Sequence, residues 1–192
     1  MTLHRRLCFS RSLAVNVAAL ALLGSCTTVA TAATLSPERV TIRHIGDVGQ
    51  YLPHVAGLAL LATHHDHEGL RQLAIATAST LSVVYVLKLT VNRRRPDGGT
   101  HSFPSGHTAM AFAGAGFIQR RYGWALGVPA YAVGAFVGWS RVYTHRHYTS
   151  DCLVGGALGV ASNLVFTHRF RHVSVVPMAG DGSPGVSVSF AW

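Results

Sequence analysis

Apolar residues along this chain come in blocks. From residue 51 onward they fill segments 51–63, 73–87, 107–119, 124–139 and 152–166, with short polar stretches between them. The blocks from residue 73 to 166 carry no charged face, and a helix that is apolar all round lies in a large core or in a bilayer. The pattern therefore predicts an all-α helical bundle embedded in a membrane. The blocks are short against the ~20 residues of a usual span, so a compact soluble all-α domain stands as the alternative. Ser36-Pro37-Glu38 reads as a helix start. His64-His65-Asp66-His67-Glu68 reads as a polar loop, Arg120-Arg121-Tyr122-Gly123 as a turn, and residues 92–106 as a loop dense in Arg, Gly, Pro and Ser.

Both termini break this pattern. Arg5, Arg6 and Arg11 precede a short apolar stretch that ends at Ala30-Thr31-Ala32, the layout of an export signal with a cleavage site. Leu23-Gly24-Ser25-Cys26 also has the form of a lipoprotein box, and an uncleaved anchor is the third reading. All three place the chain in a bacterial envelope. At the other end, segments 173–178 and 186–190 alternate around Gly180-Asp181-Gly182-Ser183-Pro184-Gly185, the pattern of a β-hairpin. The expected organisation is a leader over 1–32, a helical domain over 33–172 and a tail over 173–192.

Charge narrows the choice of partner. The 192 residues hold 16 Lys and Arg against 7 Asp and Glu, and charged residues are only 12% of the chain, about half of what soluble domains carry. The basic surplus favours anionic partners. Its cations sit at the ends of apolar blocks and form no basic and aromatic stripe, which argues against nucleic acid. Cys8 and Cys26 lie in or beside the leader, so Cys152 has no partner for an internal disulfide. Nothing in the sequence specifies an oligomeric state.

Three polar clusters interrupt the blocks. Lys88, the sole lysine, stands with Arg95-Pro96; Ser102-Phe103-Pro104-Ser105-Gly106-His107 follows; Ser140-Arg141, His147 and Asp151 come last. Helix parity brings them to one end of the bundle, since each helix returns the chain to the side it left. Lys88, Arg95 and Arg141 then surround one point with the donors that a phosphate and its transition state require. Ser105 and the Gly106 amide add donors at a helix N-terminus, where anions are favoured. His147 has Asp151 four residues on, a carboxylate that can fix its tautomer and make it a nucleophile. His107 can protonate a leaving alkoxide and then activate water, giving a bell-shaped rate near neutral or mildly acidic pH. Three fixed cations stand where a metal clamp would, so no metal or other cofactor is expected. The His64, His65 and His67 group is read as a solvated loop, because no second cluster at ligand spacing follows it.

Lys88-x6-Arg95-Pro96, Pro104-Ser105-Gly106-His107 and Ser140-Arg141-x5-His147-x3-Asp151 together resemble the three signature motifs of the type 2 phosphatidic acid phosphatase superfamily. That superfamily also includes bacterial acid phosphatases and vanadium haloperoxidases. The resemblance covers residues 88–151 at motif level and implies the acid phosphatase/haloperoxidase type of helical bundle. It implies a phosphohistidine on His147 with Asp151 orienting it, His107 as general acid, and Lys88, Arg95, Ser105, Gly106 and Arg141 holding phosphate. It further implies a phosphorylated lipid as substrate: phosphatidate, phosphatidylglycerol phosphate, an isoprenyl pyrophosphate or lipid A. The site would face the periplasm from the inner membrane. A soluble periplasmic acid phosphatase, a vanadate-dependent haloperoxidase and a non-catalytic binder of anionic lipid are the other readings.

Overall fold

The computed structural model describes residues 36–170 and the backbone of residues 172–180 and 183–191. The expected leader over 1–32, with Cys8 and Cys26, lies outside the described residues. Six helices follow in order: α1 (Pro37–Gly49), α2 (Leu52–Thr63), α3 (His67–Val91), α4 (Gly106–Tyr122), α5 (Trp124–Tyr143) and α6 (Thr149–Phe166). The backbone then runs as an antiparallel pair, β1 (His172–Gly180) with β2 (Ser183–Ala191), in which Val175 lies opposite Val188.

Local chemistry sets the helix ends. Pro37 occupies the first turn of α1, where its missing N–H costs nothing. Asp66 caps α3 by accepting from the Gly69 N–H at 2.8 Å. His67 and Glu68 therefore belong to the helix, and the loop expected over 64–68 is shorter than the sequence suggests. Glu68 is held within that first turn by Arg71 and Gln72. Ser105 caps α4, and Gly123 with φ +97° makes the tight turn into α5. That φ suits glycine because it has no Cβ to clash.

Where α4 meets α6 the packing places small residues inside, while Phe117, Ile118, Leu61 and Leu73 form a separate apolar core cluster. α4 is the central helix, against α2, α3, α5 and α6. Its Ala109, Ala111, Ala113 and Ala115 are buried. α6 approaches closely enough that a Cβ at Gly159 would lie 2.6 Å from the Ala109 carbonyl. Asn163 of α6 donates to the Ala113 carbonyl at 2.8 Å across the same contact. Small residues with an interhelical polar bond are how helices associate in lipid, where apolar surface gains nothing by being buried. The outer surface agrees with this. Leu70, Ile75, Leu81, Val83, Val86 and Leu89 of α3 are exposed, as are Leu153, Leu164 and Val165 of α6. Among the described residues, α3 and α6 are the helices long and apolar enough to cross a membrane. The 25 residues of α3 extend roughly 38 Å at the usual rise.

Candidate active site

All three motif clusters meet at the end of the bundle where α3 and α5 finish and α4 and α6 begin. Lys88, in the last turn of α3, donates from Nζ to the His101 carbonyl at 2.9 Å. Gly106, opening α4, lies beside Lys88: a Cβ there would be 3.8 Å from Lys88 Cε. The Ser105 N–H donates to the Asp151 carbonyl at 2.9 Å, which ties the start of α4 to the start of α6. Arg95 holds its loop by donating from Nε to the Thr100 carbonyl at 3.0 Å.

His147 is buried, only 3% exposed, in the connection between α5 and α6. Its Nδ1 is 3.7 Å from Asp151 Oδ2 and 3.5 Å from Ser102 Oγ. The first distance is an ion-pair approach and exceeds a direct hydrogen bond. Ser102 stands between the two: its hydroxyl donates to Asp151 Oδ2 at 2.5 Å. Asp151, fully buried, also accepts from the Tyr148 N–H at 3.1 Å and from Arg93 Nη1 at 2.9 Å. Burial, with Arg95 and Lys88 nearby, pushes the His147 imidazole down to about 4; bonding with the Ser102 backbone and the Asp151 charge only partly oppose this. His147 is thus a neutral imidazole at ordinary pH.

His107 stands in the first turn of α4, with Nε2 3.1 Å from Asp47 Oδ1. The same carboxylate oxygen accepts from Arg141 Nη1. Arg141 is 1% exposed and also donates from Nη2 to the Arg43 carbonyl at 2.7 Å. Burial and then Arg141 push His107 down to about 4, while Asp47 acts in the opposite direction. Arg95 acts on both histidines, which places it between them in the electrostatic sense.

The eight residues expected from the sequence lie together at this end of the bundle, with Asp151 and Arg141 buried in it. Ser105 has a second duty. Its hydroxyl is buried and engaged with Thr108, whose N–H it accepts at 3.4 Å and whose Oγ1 is 3.0 Å away. It caps α4, and the amides of the first turn remain as the donors there. Three residues escape the motif reading. Ser102 lies within a quoted motif, but only the fold shows it against Asp151. Arg93 reads as a charged loop residue until the Asp151 pair is seen. Asp47 sits in α1, outside every motif, and no sequence signal distinguishes it from a surface acid. Among the described residues, no group of three His, Cys, Asp or Glu side chains is arranged to hold a metal ion.

A buried neutral histidine, a carboxylate behind it, and Lys88 and Arg95 with donors to spare are an arrangement suited to receiving an anion such as phosphate. Residues 69–173 match the PAP2 superfamily model. The lipid A 4'-phosphatase of Helicobacter pylori is 31% identical over 170 residues, covering 79% of this chain and 85% of that protein. In fold, the chain is similar to LpxE of Aquifex aeolicus (TM-score 0.59, 24% identity, 69% of this chain and 87% of the other). It is likewise similar to the transmembrane PAP2 type phosphatidylglycerolphosphate phosphatase of Bacillus subtilis (TM-score 0.54, 24% identity, 81% and 86%). The chain belongs to the PAP2 superfamily and is a phosphoric ester hydrolase.

Proposed function

We propose that the chain is a membrane lipid phosphatase that cleaves a phosphate monoester or diphosphate of a lipid through a phosphohistidine on His147. The observation that carries this reading is His147 itself: buried, neutral, backed through Nδ1 by Ser102 and Asp151, and under the field of Lys88 and Arg95. With Nδ1 turned to that pair, Nε2 is the nucleophile. It attacks phosphorus while the ester P–O bond breaks, and the leaving alkoxide takes a proton from His107. Water then gives a proton to His107 and attacks phosphorus; the N–P bond breaks, releasing phosphate and restoring both rings. Lys88, Arg95, Arg141 and the amides opening α4 hold the non-bridging oxygens. An entering phosphate dianion cancels part of the cationic field on His107 and raises its proton affinity, which is what its acid role requires. The named activity of the Helicobacter pylori relative and the apolar exterior of α3 and α6 support a lipid substrate at the periplasmic face of the inner membrane.

The test is phosphate release by the detergent-purified full chain and its His147→Ala variant, in EDTA. Substrates are lipid A, phosphatidylglycerol phosphate, phosphatidate, undecaprenyl pyrophosphate and an aryl phosphate. Wild type is expected to turn over a lipid in the chelator, to form an alkali-stable phosphoenzyme, and to lose both with the substitution. Turnover retained by His147→Ala would overturn the mechanism, and a preference for the aryl phosphate over every lipid would overturn the substrate class.

A further inference from the structure

Asp47 belongs to none of the three motif clusters, yet its carboxylate contacts two of their residues. Its Oδ1 is 3.1 Å from His107 Nε2 and accepts from Arg141 Nη1. α1 is locked against α5 at this point. A Cβ on Gly46 would collide with Ser140 Oγ and Arg141 Nη2, and one on Gly49 would lie 3.3 Å from Val137 Cγ2. The Arg43 carbonyl takes the other arm of Arg141 at 2.7 Å. The backbone that carries the carboxylate is therefore held closely against α5 on both sides of Asp47.

We propose that Asp47 is a positioning residue of the reaction: it holds the Nε2–H of His107, so that Nδ1 is the nitrogen that exchanges protons with the leaving group and with water. The proposal rests on the phosphatase reading above. Among the described residues, His107 Nδ1 has no protein partner, and Nε2 is the ring nitrogen that faces Asp47, at 3.1 Å. A ring held at Nε2–H by a carboxylate can lose its Nδ1 proton to the alkoxide and regain one there from water, without turning over between the steps. Asp47 also supplies the one negative charge near a ring that otherwise faces Arg141, Arg95 and Arg146. A carboxylate that merely tethers α1 to Arg141 would account for that ion pair but not for the 3.1 Å approach of the same oxygen to His107 Nε2.

The experiment compares wild type, Asp47→Asn and Asp47→Glu in the full chain, on a lipid alkyl phosphate and on 4-nitrophenyl phosphate, across pH. The nitrophenolate leaves without a proton, so in kcat/KM, which ends at phosphoenzyme formation, a defect in delivering one is felt by the alkyl ester alone. Asp47→Asn is expected to lower kcat/KM on the alkyl phosphate about 100-fold, at the lower end for a general-acid contribution, with a far smaller effect on the nitrophenyl ester. The alkaline limb of its profile moves to lower pH, and Asp47→Glu restores part of the rate. Equal losses on both esters with an unmoved limb, or no loss, would overturn the assignment and leave the phosphatase reading intact. No turnover by wild type would overturn that reading, and this one with it. ¹⁵N NMR of the histidine rings, assigned by His107→Gln, gives a readout independent of turnover. The neutral His107 of wild type is expected as the Nε2–H tautomer, titrating at higher pH than in Asp47→Asn; an Nδ1–H tautomer would overturn the proposal.

Discussion

Arg121 and Arg95 stand at opposite ends of the bundle and are satisfied in different ways. Arg121, in the last turn of α4, is 6% exposed and has every arm occupied. It donates from Nε and Nη2 to the two oxygens of Asp66 at 2.7 and 2.6 Å, and from Nη1 to the His168 carbonyl at 2.9 Å. Tyr122 adds a bond to the same carboxylate at 3.1 Å. Arg95 makes one side-chain hydrogen bond, from Nε to a loop carbonyl, and Lys88 likewise spends one donor on a carbonyl. Among the described residues, the remaining donors of both have no protein acceptor. Burial of a neutralised fork stabilises one end, whereas the other holds cations whose partner must come from outside. Arg121, paired far from the site, is structural and Arg95, under-paired beside it, is a binding group, though both look alike in sequence.

Substitution should separate the two ends. Arg121→Met leaves Asp66 buried and charged without its partner, a loss of about 3–5 kcal/mol for a broken buried pair. Thermal unfolding in detergent should show this, while the molecules that remain folded keep their kcat. Arg95→Ala should do the reverse. Loss of one preorganised donor lowers kcat/KM by about 10²–10³-fold, and the melting temperature stays within a few degrees. A large stability loss in Arg95→Ala would mean that its loop role outweighs phosphate binding and would dissolve the contrast.

Acid should act through the buried histidines, His147 and His107 at the site end and His54 between α2 and α3. His147 titrates near 4 in the folded chain because of its burial and the Arg95 and Lys88 charges, while the Asp151 charge and the Ser102 backbone oppose them. In the unfolded chain it titrates near its ordinary value of about 6.5. Between those values the unfolded state binds the extra proton, so stability falls as pH drops from about 6.5 to about 4 and is insensitive to this group above that window. His107 contributes in the same sense. The expected size is on the order of 2–3 kcal/mol for one such group. Chemical denaturation at pH 7 and pH 4.5 measures it. His147→Gln should flatten the slope, and an unchanged slope would place the proton elsewhere. The same shift puts the acid limb of kcat/KM for the free enzyme near pH 4 rather than near neutrality.

How much of this was legible in the sequence follows from what each residue answers to. The helices are readable because apolar blocks and their breakers are local. The meeting of Lys88, Gly106, His107, Arg141, His147 and Asp151 follows from helix parity, which needs only the number of helices between them. The start of α3 is misjudged because the Asp66 cap overrides the polar look of His67 and Glu68. Asp47 could not be read at all. Its importance comes from the lateral packing of α1 on α5 through Gly46, and lateral packing leaves no period in a sequence. Ser105 shows a duty that the sequence does not separate: besides the phosphate contact expected of it, its hydroxyl caps the helix it precedes.

Ser102 offers the finest test of the contrast, because it supports the nucleophile without being one. Its hydroxyl donates to Asp151 Oδ2 at 2.5 Å and lies 3.5 Å from His147 Nδ1, so it bridges a gap that the carboxylate does not close. Asp151 keeps Arg93 and the Tyr148 N–H whatever happens to Ser102. Ser102→Ala should therefore cost about 1–2 kcal/mol, near the range for one hydrogen bond to a charged group. It should also slow phosphoenzyme formation about tenfold through a loosened imidazole, with KM little changed. Ser102→Thr keeps the hydroxyl and should recover most of the rate if the added methyl fits. The two readouts answer different questions. Lost stability with an unchanged rate would make Ser102 a strut for the start of α6. A slowed first step with full stability would mean that the ring is aligned by the serine and charged by the aspartate, two duties that the motif pattern assigns to Asp151 alone.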